Sequence, residues 1–211
     1  MSAIIICNGS IIDYSYYKKY FRNAPFIICA DGGARHLKML GVKPDILLGD
    51  FDSISNEDLD YYKSLGVELL KYPPEKDMTD TDIAVSTAVD LGYKDIIIIG
   101  GMGTRFDHSL ANVFLLKGML DIGIRGCVIN EYNEIYLIDD KIKIDSEIGF
   151  KLSLIPISET VEGITSTGLY YQLNEDTIKM GESRGVSNEF AADTSEISIK
   201  SGLLLVIKSK D

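Results

Sequence analysis

The sequence has few of the residues that zinc chemistry and nucleic-acid binding require. It contains only two histidines, and no HExxH zinc motif occurs in it. Lysine and arginine together number 21 against 32 aspartate and glutamate residues, so the formal net charge is −11. This acidic balance disfavours nucleic acid and anionic membranes as partners, because their phosphate groups would be repelled. An anionic substrate would need a metal ion between itself and the protein.

Long apolar runs and paired cysteines are also missing. No stretch approaches the roughly 20 apolar residues of a membrane span, and the opening MSAIIICNGS has no basic region ahead of its apolar run. The three cysteines lie in apolar segments without CxxC spacing, which is typical of small buried side chains in a reducing compartment. We therefore expect a cytoplasmic protein that does not associate with membranes.

Short apolar runs alternate with segments of helical spacing up to about residue 130. The predicted strands are 3–7, 26–30, 45–49, 67–72, 95–100 and 126–129. Their continuous apolar character is typical of parallel strands that are covered on both faces. Residues 1–130 are therefore predicted to form an open, doubly wound, mainly parallel α/β domain. Ligands of such sheets bind beyond the carboxyl ends of the strands.

The pattern changes in residues 131–211. Short strand-like segments, among them GITSTGLYYQL, are separated by glycine, asparagine, aspartate and serine, and no helix of useful length is predicted. This pattern predicts a small all-β domain, a sandwich or a barrel, that follows the α/β domain directly.

The stretch LLGDFDSI places Asp50 and Asp52 at the end of a predicted buried strand. Carboxylates two residues apart in an extended chain point to the same face, and a helix cap would need only one of them. Mg²⁺ is commonly held by one or two protein carboxylates, with substrate phosphates completing its shell. Asp80 lies in the first turn of a helix that Thr79 and Asp82 are predicted to begin as a capping box, and it is placed to join the same cation.

Two glycine-rich stretches follow other predicted strands. Residues 31–33, Asp-Gly-Gly, either simply begin a helix or let the backbone approach an anion. In GGMGTRFDH the glycines could cradle phosphate, Arg105 could bind it, and Asp107 could accept from a hydroxyl or amine or could cap a helix. Neither GxGxxG nor GxxxxGK[ST] is present, which disfavours NAD-binding and P-loop interpretations.

The two histidines have different expected places. His36 is expected to be an exposed or half-buried helix residue. His108 either lies behind the groups that contact a nucleotide or simply stands at the start of a helix.

The stretches ADGG, GDFDS, DMTDTD and GGMGTRFDH, in this order on successive strand ends, resemble those of thiamine pyrophosphokinase (thiamin diphosphokinase). The segments TSTGLYYQL and SRGVSNEF resemble the thiamine-binding β-domain of that family, so the similarity spans most of the chain. The resemblance implies a Mg²⁺-dependent transfer of the diphosphoryl group of ATP to the hydroxyl of thiamine, with AMP and thiamine diphosphate as products. It also implies a homodimer with the active site between subunits.

The resemblance assigns roles to individual residues. The implied metal ligands are Asp50, Asp52 and Asp80, which together with Arg105 form the implied catalytic set. The residues implied to bind the nucleotide are Asp31, Gly32, Gly33, Lys76, Gly101, Arg105, Asp107 and His108. The residues implied to bind thiamine are Asp107, Thr165, Ser166, Tyr171, Ser187 and Asn188. Lys76 stands where some members of the family have glutamine, so its polar contact would differ and could go to phosphate.

Two other functions stay open from the sequence. GDFDSI partly matches the nucleophile motif of haloacid-dehalogenase phosphatases, in which phosphorus would be attacked by Asp50, although that motif is expected after the first strand and not the third. A non-catalytic nucleotide- or thiamine-binding module would use the same carboxylates only to organise Mg²⁺ and its ligand. A phosphoenzyme on Asp50 would indicate the first, and the absence of AMP formation would indicate the second.

Overall fold

Parallel strands and their crossover helices build the first of the two units into which the chain divides, Met1–Glu131 and Tyr132–Asp211. The computed structural model of the protein describes residues 2–23, 25–75 and 77–211. The strands of the first unit are β1 (Ser2–Ile6), β2 (Phe26–Ala30), β3 (Ile46–Gly49), β4 (Glu68–Lys71), β5 (Asp95–Ile99) and β6 (Arg125–Ile129). They pair in parallel in the order β6-β5-β1-β2-β3-β4, so the predicted open parallel sheet is confirmed.

The strand order changes direction beside β1. Strands β2, β3 and β4 follow on one side of β1, whereas β5 and β6 lie on its other side. In an open α/β sheet, ligands bind at such a switch point, in the crevice outside the carboxyl ends of the strands. The first unit therefore has a binding crevice near the ends of β1 and β5.

Several of the helices begin at a residue whose side chain caps them. They are α1 (Tyr14–Tyr17), α2 (Ala34–Leu40), α3 (Asn56–Ser64), α4 (Asp80–Asp90) and α5 (Phe106–Asp121), with short 3₁₀ helices at Lys18–Phe21 and Asp31–Gly33. The side chain of Thr79 accepts from the backbone N–H of Asp82 at 3.2 Å, which confirms the predicted start of α4. Ser55 caps α3 in the same way, so neither Asp52 nor Ser53 has that role.

The strand interiors supply the core of the first unit. Ile4, Ile28 and Leu47 on three adjacent strands are at most 1% exposed. Each such side chain contributes roughly 1.5–3 kcal/mol through its removal from water. This burial on both faces of the sheet explains why the strands are apolar throughout and do not alternate. No helix in the described ranges is long and apolar enough to cross a membrane.

The second unit is a sandwich of antiparallel strands, which confirms the predicted all-β fold. Its strands are β7 (Asn133–Ile138), β8 (Lys141–Asp145), β9 (Lys151–Pro156), β10 (Thr160–Thr167), β11 (Asp176–Lys179), β12 (Asn188–Glu189), β13 (Thr194–Ser198) and β14 (Leu204–Ser209). One face has the order β12-β9-β14-β7 and the other β11-β10-β13-β8. Apolar side chains such as Leu154, Ile164 and Ile197 fill the space between them.

One strand of the second unit is shorter than its sequence pattern indicates. Strand β10 ends at Thr167, and the following LYYQL is irregular. Gly168 has a φ of 72°, and a side chain on it would collide with the backbone oxygen of Thr194. The chain therefore turns out of the sheet at this glycine.

Candidate active site

A cavity of about 580 Å³ lies at the carboxyl end of the parallel sheet, where the loops after β1, β2, β3 and β5 meet. Six of the residues predicted from the sequence line it: Asp31, Asp50, Asp80, Gly101, Arg105 and His108. The crevice expected from the strand order and the residues expected from the motifs therefore coincide.

Three carboxylates form a compact cluster, and two of them, Asp31 and Asp50, line this cavity. Asp31, Asp50 and Asp52 each offer an oxygen atom, and the three atoms all lie within 4.8 Å of one another. Asp80 lines the same cavity but is not a member of this group. The three clustered carboxylates thus include Asp31, which the resemblance did not imply as a metal ligand, and they leave out Asp80, which it did.

The cluster depends on unusual backbone conformations. Phe51 has a φ of 68° between the two aspartates, and the N–H of Asp52 donates to Oδ1 of Asp50 at 3.0 Å. A tight turn after β3, and not the alternation of an extended strand, therefore brings these two carboxylates together. Asp31 also has a positive φ, 43°, and Gly49 approaches it so closely that an added Cβ would lie 2.9 Å from the Cβ of Asp31. Such conformations are costly and concentrate at functional sites.

The environment of Asp31 disfavours a negative charge. It is 7% exposed, and its Oδ1 atom has no hydrogen-bond partner in the part of the chain that the structure describes. Burial raises the pKa of Asp31, and the negative charges of Asp80 and Asp50 raise it further, whereas hydrogen bonds from Ser53 and Gly32 act in the opposite direction. A cation beside this oxygen would reverse the balance and favour the ionised form.

The two glycines after Asp31 have a packing role that the sequence left open. A Cβ on Gly33 would lie 2.5 Å from the backbone oxygen of Ile6, and one on Gly32 would collide with the side chain of Asn8. They let the Asp31–Gly33 turn lie directly against the end of β1. Their predicted contact with a nucleotide stays a prediction.

The loops after β1 and β5 are joined by backbone hydrogen bonds. Gly9 N–H donates to Gly100 O at 2.7 Å, and Ser10 N–H donates to Met102 O at 2.8 Å. Gly100 has a φ of 68°, and a side chain on it would collide with the oxygen of Cys7. The sequence reasoning missed the Asn8–Ser10 segment as part of the site, although it follows the first predicted strand and so lies at the same edge of the sheet.

Arg105 and Asp107 form an ion pair at the mouth of the cavity. Nη2 of Arg105 lies 2.6 Å from Oδ2 of Asp107, and the hydrogen bond from Arg105 lowers the pKa of Asp107. Helix α5 begins at Phe106, directly after Arg105, so Asp107 does not cap it. Arg105 lines the cavity and Asp107 does not, which leaves the predicted thiamine contact of Asp107 untested.

Two further expectations concern Lys76 and His36. Lys76 lies outside the described residues. His36 is 3% exposed and therefore buried, so the expected exposed or half-buried position is wrong. Its Nε2 lies 2.9 Å from Gly9 O, and its Nδ1 lies 2.8 Å from the hydroxyl of Tyr14. Because a carbonyl can only accept, Nε2 carries the proton, and the neutral ring accepts from Tyr14.

In the second unit the predicted thiamine residues surround the irregular segment after β10. Oδ1 of Asn188 accepts from Tyr171 N–H at 3.0 Å, and its Nδ2 donates to Tyr171 O at 2.6 Å. The hydroxyl of Ser166 accepts from Leu173 N–H at 2.9 Å. Ser166 and Asn188 are both buried, whereas the side chain of Tyr171 is exposed. The two buried polar groups therefore hold the segment that presents Tyr171.

The remaining two predicted thiamine residues also make contacts to the backbone. Oγ1 of Thr165 accepts from the N–H of Glu175 at 3.2 Å. Ser187 has a φ of 60°, and its N–H donates to the hydroxyl of Ser153 at 3.0 Å. Ser187 is exposed to solvent.

The first unit has an open, doubly wound α/β fold with an acidic cavity at its topological switch point. The family model described as "Thiamin pyrophosphokinase, catalytic domain" matches residues 17–127, and "Thiamin pyrophosphokinase, vitamin B1 binding domain" matches residues 140–204. The chain therefore belongs to the thiamin pyrophosphokinase family.

Individual relatives agree with this assignment. The chain is 33% identical over 187 residues to thiamine pyrophosphokinase of Bacillus subtilis (strain 168), an alignment that covers 87% of each sequence. The crystal structure of the thiamine pyrophosphokinase from Bacillus subtilis matches with a TM-score of 0.92 and 28% identity over all of both chains. That of Geobacillus thermodenitrificans matches with a TM-score of 0.88 and 28% identity over 100% of this chain and 98% of the other. The phosphatase and non-catalytic alternatives find no support in these similarities.

Proposed function

We propose that the protein transfers the diphosphoryl group of ATP to the hydroxyl of thiamine and that the cavity of the first unit binds the phosphates. The hydroxyl oxygen of thiamine attacks the β-phosphorus of ATP. The bond between the β-phosphorus and the oxygen that bridges the α- and β-phosphorus atoms breaks, and AMP leaves with the electron pair of that bond. The hydroxyl proton is released. The single observation that carries this proposal is the Asp31, Asp50 and Asp52 cluster at the sheet edge of a chain that belongs to the family.

The cluster fits a divalent cation such as Mg²⁺. All its ligand atoms are carboxylate oxygens, the donor type that Mg²⁺ prefers, and Asp31 contributes a buried oxygen without a hydrogen-bond partner among the described residues. We propose that Asp50 and Asp52 hold the ion, with Asp31 beside them and Asp80 on the adjacent wall. When bound, Mg²⁺ would neutralise the spread charge of the phosphate chain.

The other residues of the cavity bind and orient the nucleotide. Gly101 is buried, and its carbonyl accepts from Nδ2 of Asn112 at 2.7 Å, which fixes the loop after β5. Arg105 supplies a guanidinium at the mouth, and His108, in the first turn of α5, lines the same cavity. We propose that Lys76 contacts phosphate as well. Diphosphoryl transfer requires mainly in-line positioning, which such a rigid loop provides.

Thiamine binding is proposed to involve the second unit of a neighbouring subunit. Tyr171 is 65% exposed and offers an aromatic face to the cationic thiazolium ring. Thr165 and Ser187 of the same unit, and Asp107 of the partner subunit, are proposed to contact thiamine as well. An apolar stripe on α5, formed by Phe106, Leu110 and Phe114, supports a homodimer because these side chains are 38–75% exposed. Its partner surface is proposed to be a second copy of this chain.

A reducing, cytoplasmic location is also part of the proposal. Cys7, Cys29 and Cys127 are all buried, and none of them forms a disulfide with another described residue. Burial raises the pKa of the Cys7 thiol to about 12, so this group is unreactive although it lies beside the cavity.

The proposed reaction is tested by product analysis. Purified protein is incubated with ATP, MgCl₂ and thiamine, and AMP, ADP and thiamine diphosphate are separated. We expect AMP and thiamine diphosphate in equal amounts. Formation of ADP, or of AMP with free pyrophosphate, would contradict diphosphoryl transfer to thiamine.

A further inference from the structure

Arg35 lines the cavity, although no sequence motif pointed to it. It lies in the first turn of α2, directly after the Asp31–Gly33 turn that supplies a member of the acidic cluster. Its Nη2 donates to Asn8 O at 3.0 Å and approaches Gly9 O at 3.5 Å. The guanidinium is therefore held at the end of β1, on the wall of the cavity, while the residue is exposed to solvent.

The charges around the cavity make Arg35 different from Arg105. Arg105 is already paired with Asp107 at 2.6 Å, so much of its positive charge is offset. The acceptors that hold Arg35 are neutral backbone oxygens, and no carboxylate of the described ranges forms an ion pair with it. Its Nε and Nη1 groups make no hydrogen bond with the described residues. Arg35 therefore presents a full positive charge and unused donors to the cavity.

The loop that holds Arg35 is itself fixed. Gly9 and Ser10 are bonded to the loop after β5, and the buried ring of His36 donates to the same Gly9 oxygen at 2.9 Å. A guanidinium that is hydrogen-bonded to such a loop loses little conformational freedom when it binds a ligand. The nearby carboxylates would repel an anion, so a fixed cation in the same cavity has a large effect on anion affinity.

We propose that Arg35 binds the phosphate chain of the nucleotide as a second guanidinium beside Arg105. This inference rests on the proposed function of the cavity. A guanidinium matches phosphate through two parallel N–H donors, and the bond is charge-assisted. Arg35 touches substrate in this account and is therefore a binding residue of the reaction as well as an anchor of the β1 loop.

The test is the affinity for ATP in the presence of MgCl₂ and the absence of thiamine, measured by isothermal titration calorimetry. Arg35→Gln is expected to weaken ATP binding roughly 10-fold or more relative to wild type. The affinity of Arg35→Lys is expected to lie between those of wild type and Arg35→Gln, because lysine keeps the charge but lacks the two parallel N–H donors of a guanidinium. Arg22→Gln is the matched control, since it removes the same charge from an exposed residue outside the cavity, and it is expected to change the affinity less than 2-fold.

Steady-state kinetics separate substrate binding from a loosened loop. Phosphate binding by Arg35 predicts that the Arg35→Gln variant has a raised KM for ATP and a KM for thiamine within about 2-fold of wild type. Its melting temperature is expected to fall only slightly, through the lost bonds to Asn8 and Gly9. Equal ATP affinity in Arg35→Gln and wild type would overturn the inference, and so would equal losses in Arg35→Gln and Arg22→Gln. A wild-type protein that binds ATP but makes no AMP would overturn the proposed function and leave this binding test intact.

Discussion

Asn188 holds the main chain of Tyr171 through both ends of its amide group. The same Oδ1 also accepts from the N–H of Glu189 at 2.9 Å. Both the oxygen and the nitrogen of this buried amide group are therefore hydrogen-bonded to the backbone. This arrangement favours a positioning role for Asn188 and a direct ligand contact for Tyr171. The sequence motif alone placed both residues near thiamine without distinguishing the two roles.

Asn188→Asp tests this division of roles. The substitution keeps an acceptor for the Tyr171 N–H but turns an oxygen toward the Tyr171 carbonyl, so the segment should loosen and stability should fall by about 1–3 kcal/mol. We expect the KM for thiamine to rise while the KM for ATP stays within about 2-fold. In a Tyr171→Ala background the same substitution should change the KM for thiamine no further, because its effect acts through Tyr171. Fully additive effects of the two substitutions would contradict the positioning role.

His36 gives the fold a predictable dependence on pH. Burial lowers the pKa of His36 below its ordinary value of 6.5, and the positive charge of Arg35 lowers it further, although the Gly9 carbonyl and Glu131 act in the opposite direction. Above pH 6.5 the ring is neutral in both the folded and unfolded chain. As the pH falls below 6.5 the unfolded chain takes up the proton first, so the free energy of unfolding decreases until the folded pKa is reached.

Urea unfolding between pH 7.5 and 5.5 measures this effect. The free energy of unfolding of the wild type should decrease by up to about 1.4 kcal/mol per pH unit from this group alone. His36→Gln should show a flatter profile over the same range, whatever its absolute stability. Parallel profiles of the two proteins would show that His36 does not titrate differently in the folded state.

At the scale of elements, the strands were predictable and the turns between them were not. The runs 26–30 and 95–100 became β2 and β5 because an uninterrupted apolar segment of that length has to be buried on both sides. The Asp50 and Asp52 pair was predicted in the right place for an incorrect reason, since the positive φ of Phe51 brings the carboxylates together. The burial of His36 depends on Tyr14 and Gly9, which are distant in sequence.

The close contact between the β1 and β5 loops predicts an unusual sensitivity at Gly100. Gly100→Ala would place a methyl group against the Cys7 oxygen at a φ of 68°. Gly123 is the matched control because its φ is 70° and nothing lies within 4 Å of an added Cβ. Gly123→Ala should cost about 1–2 kcal/mol from backbone strain alone, and Gly100→Ala should cost more because the loops must separate. Equal costs in thermal unfolding would show that the loop contact is not tight.

At the scale of the whole molecule, the net charge of −11 and the binding of a polyphosphate are compatible through cations. Asp31, Asp50 and Asp52 repel one another in the absence of a cation, and the same repulsion becomes affinity when an ion lies between them. The fixed guanidinium of Arg35 adds a permanent positive charge that neither composition nor motif revealed. The two units are proposed to have different roles: the first binds the nucleotide, and the second presents an aromatic side chain to thiamine.

The rate of AMP formation by Asp52→Asn tests whether the acidic cluster holds the metal ion of the reaction, because this exposed residue makes no contribution to the buried core. At saturating ATP, thiamine and MgCl₂ we predict a loss of at least roughly 100-fold relative to wild type, with a melting temperature that is unchanged or slightly raised as repulsion is relieved. Asp90→Asn, an exposed aspartate at the end of α4, is the control and should keep full activity. A wild-type rate of AMP formation by Asp52→Asn would contradict the account.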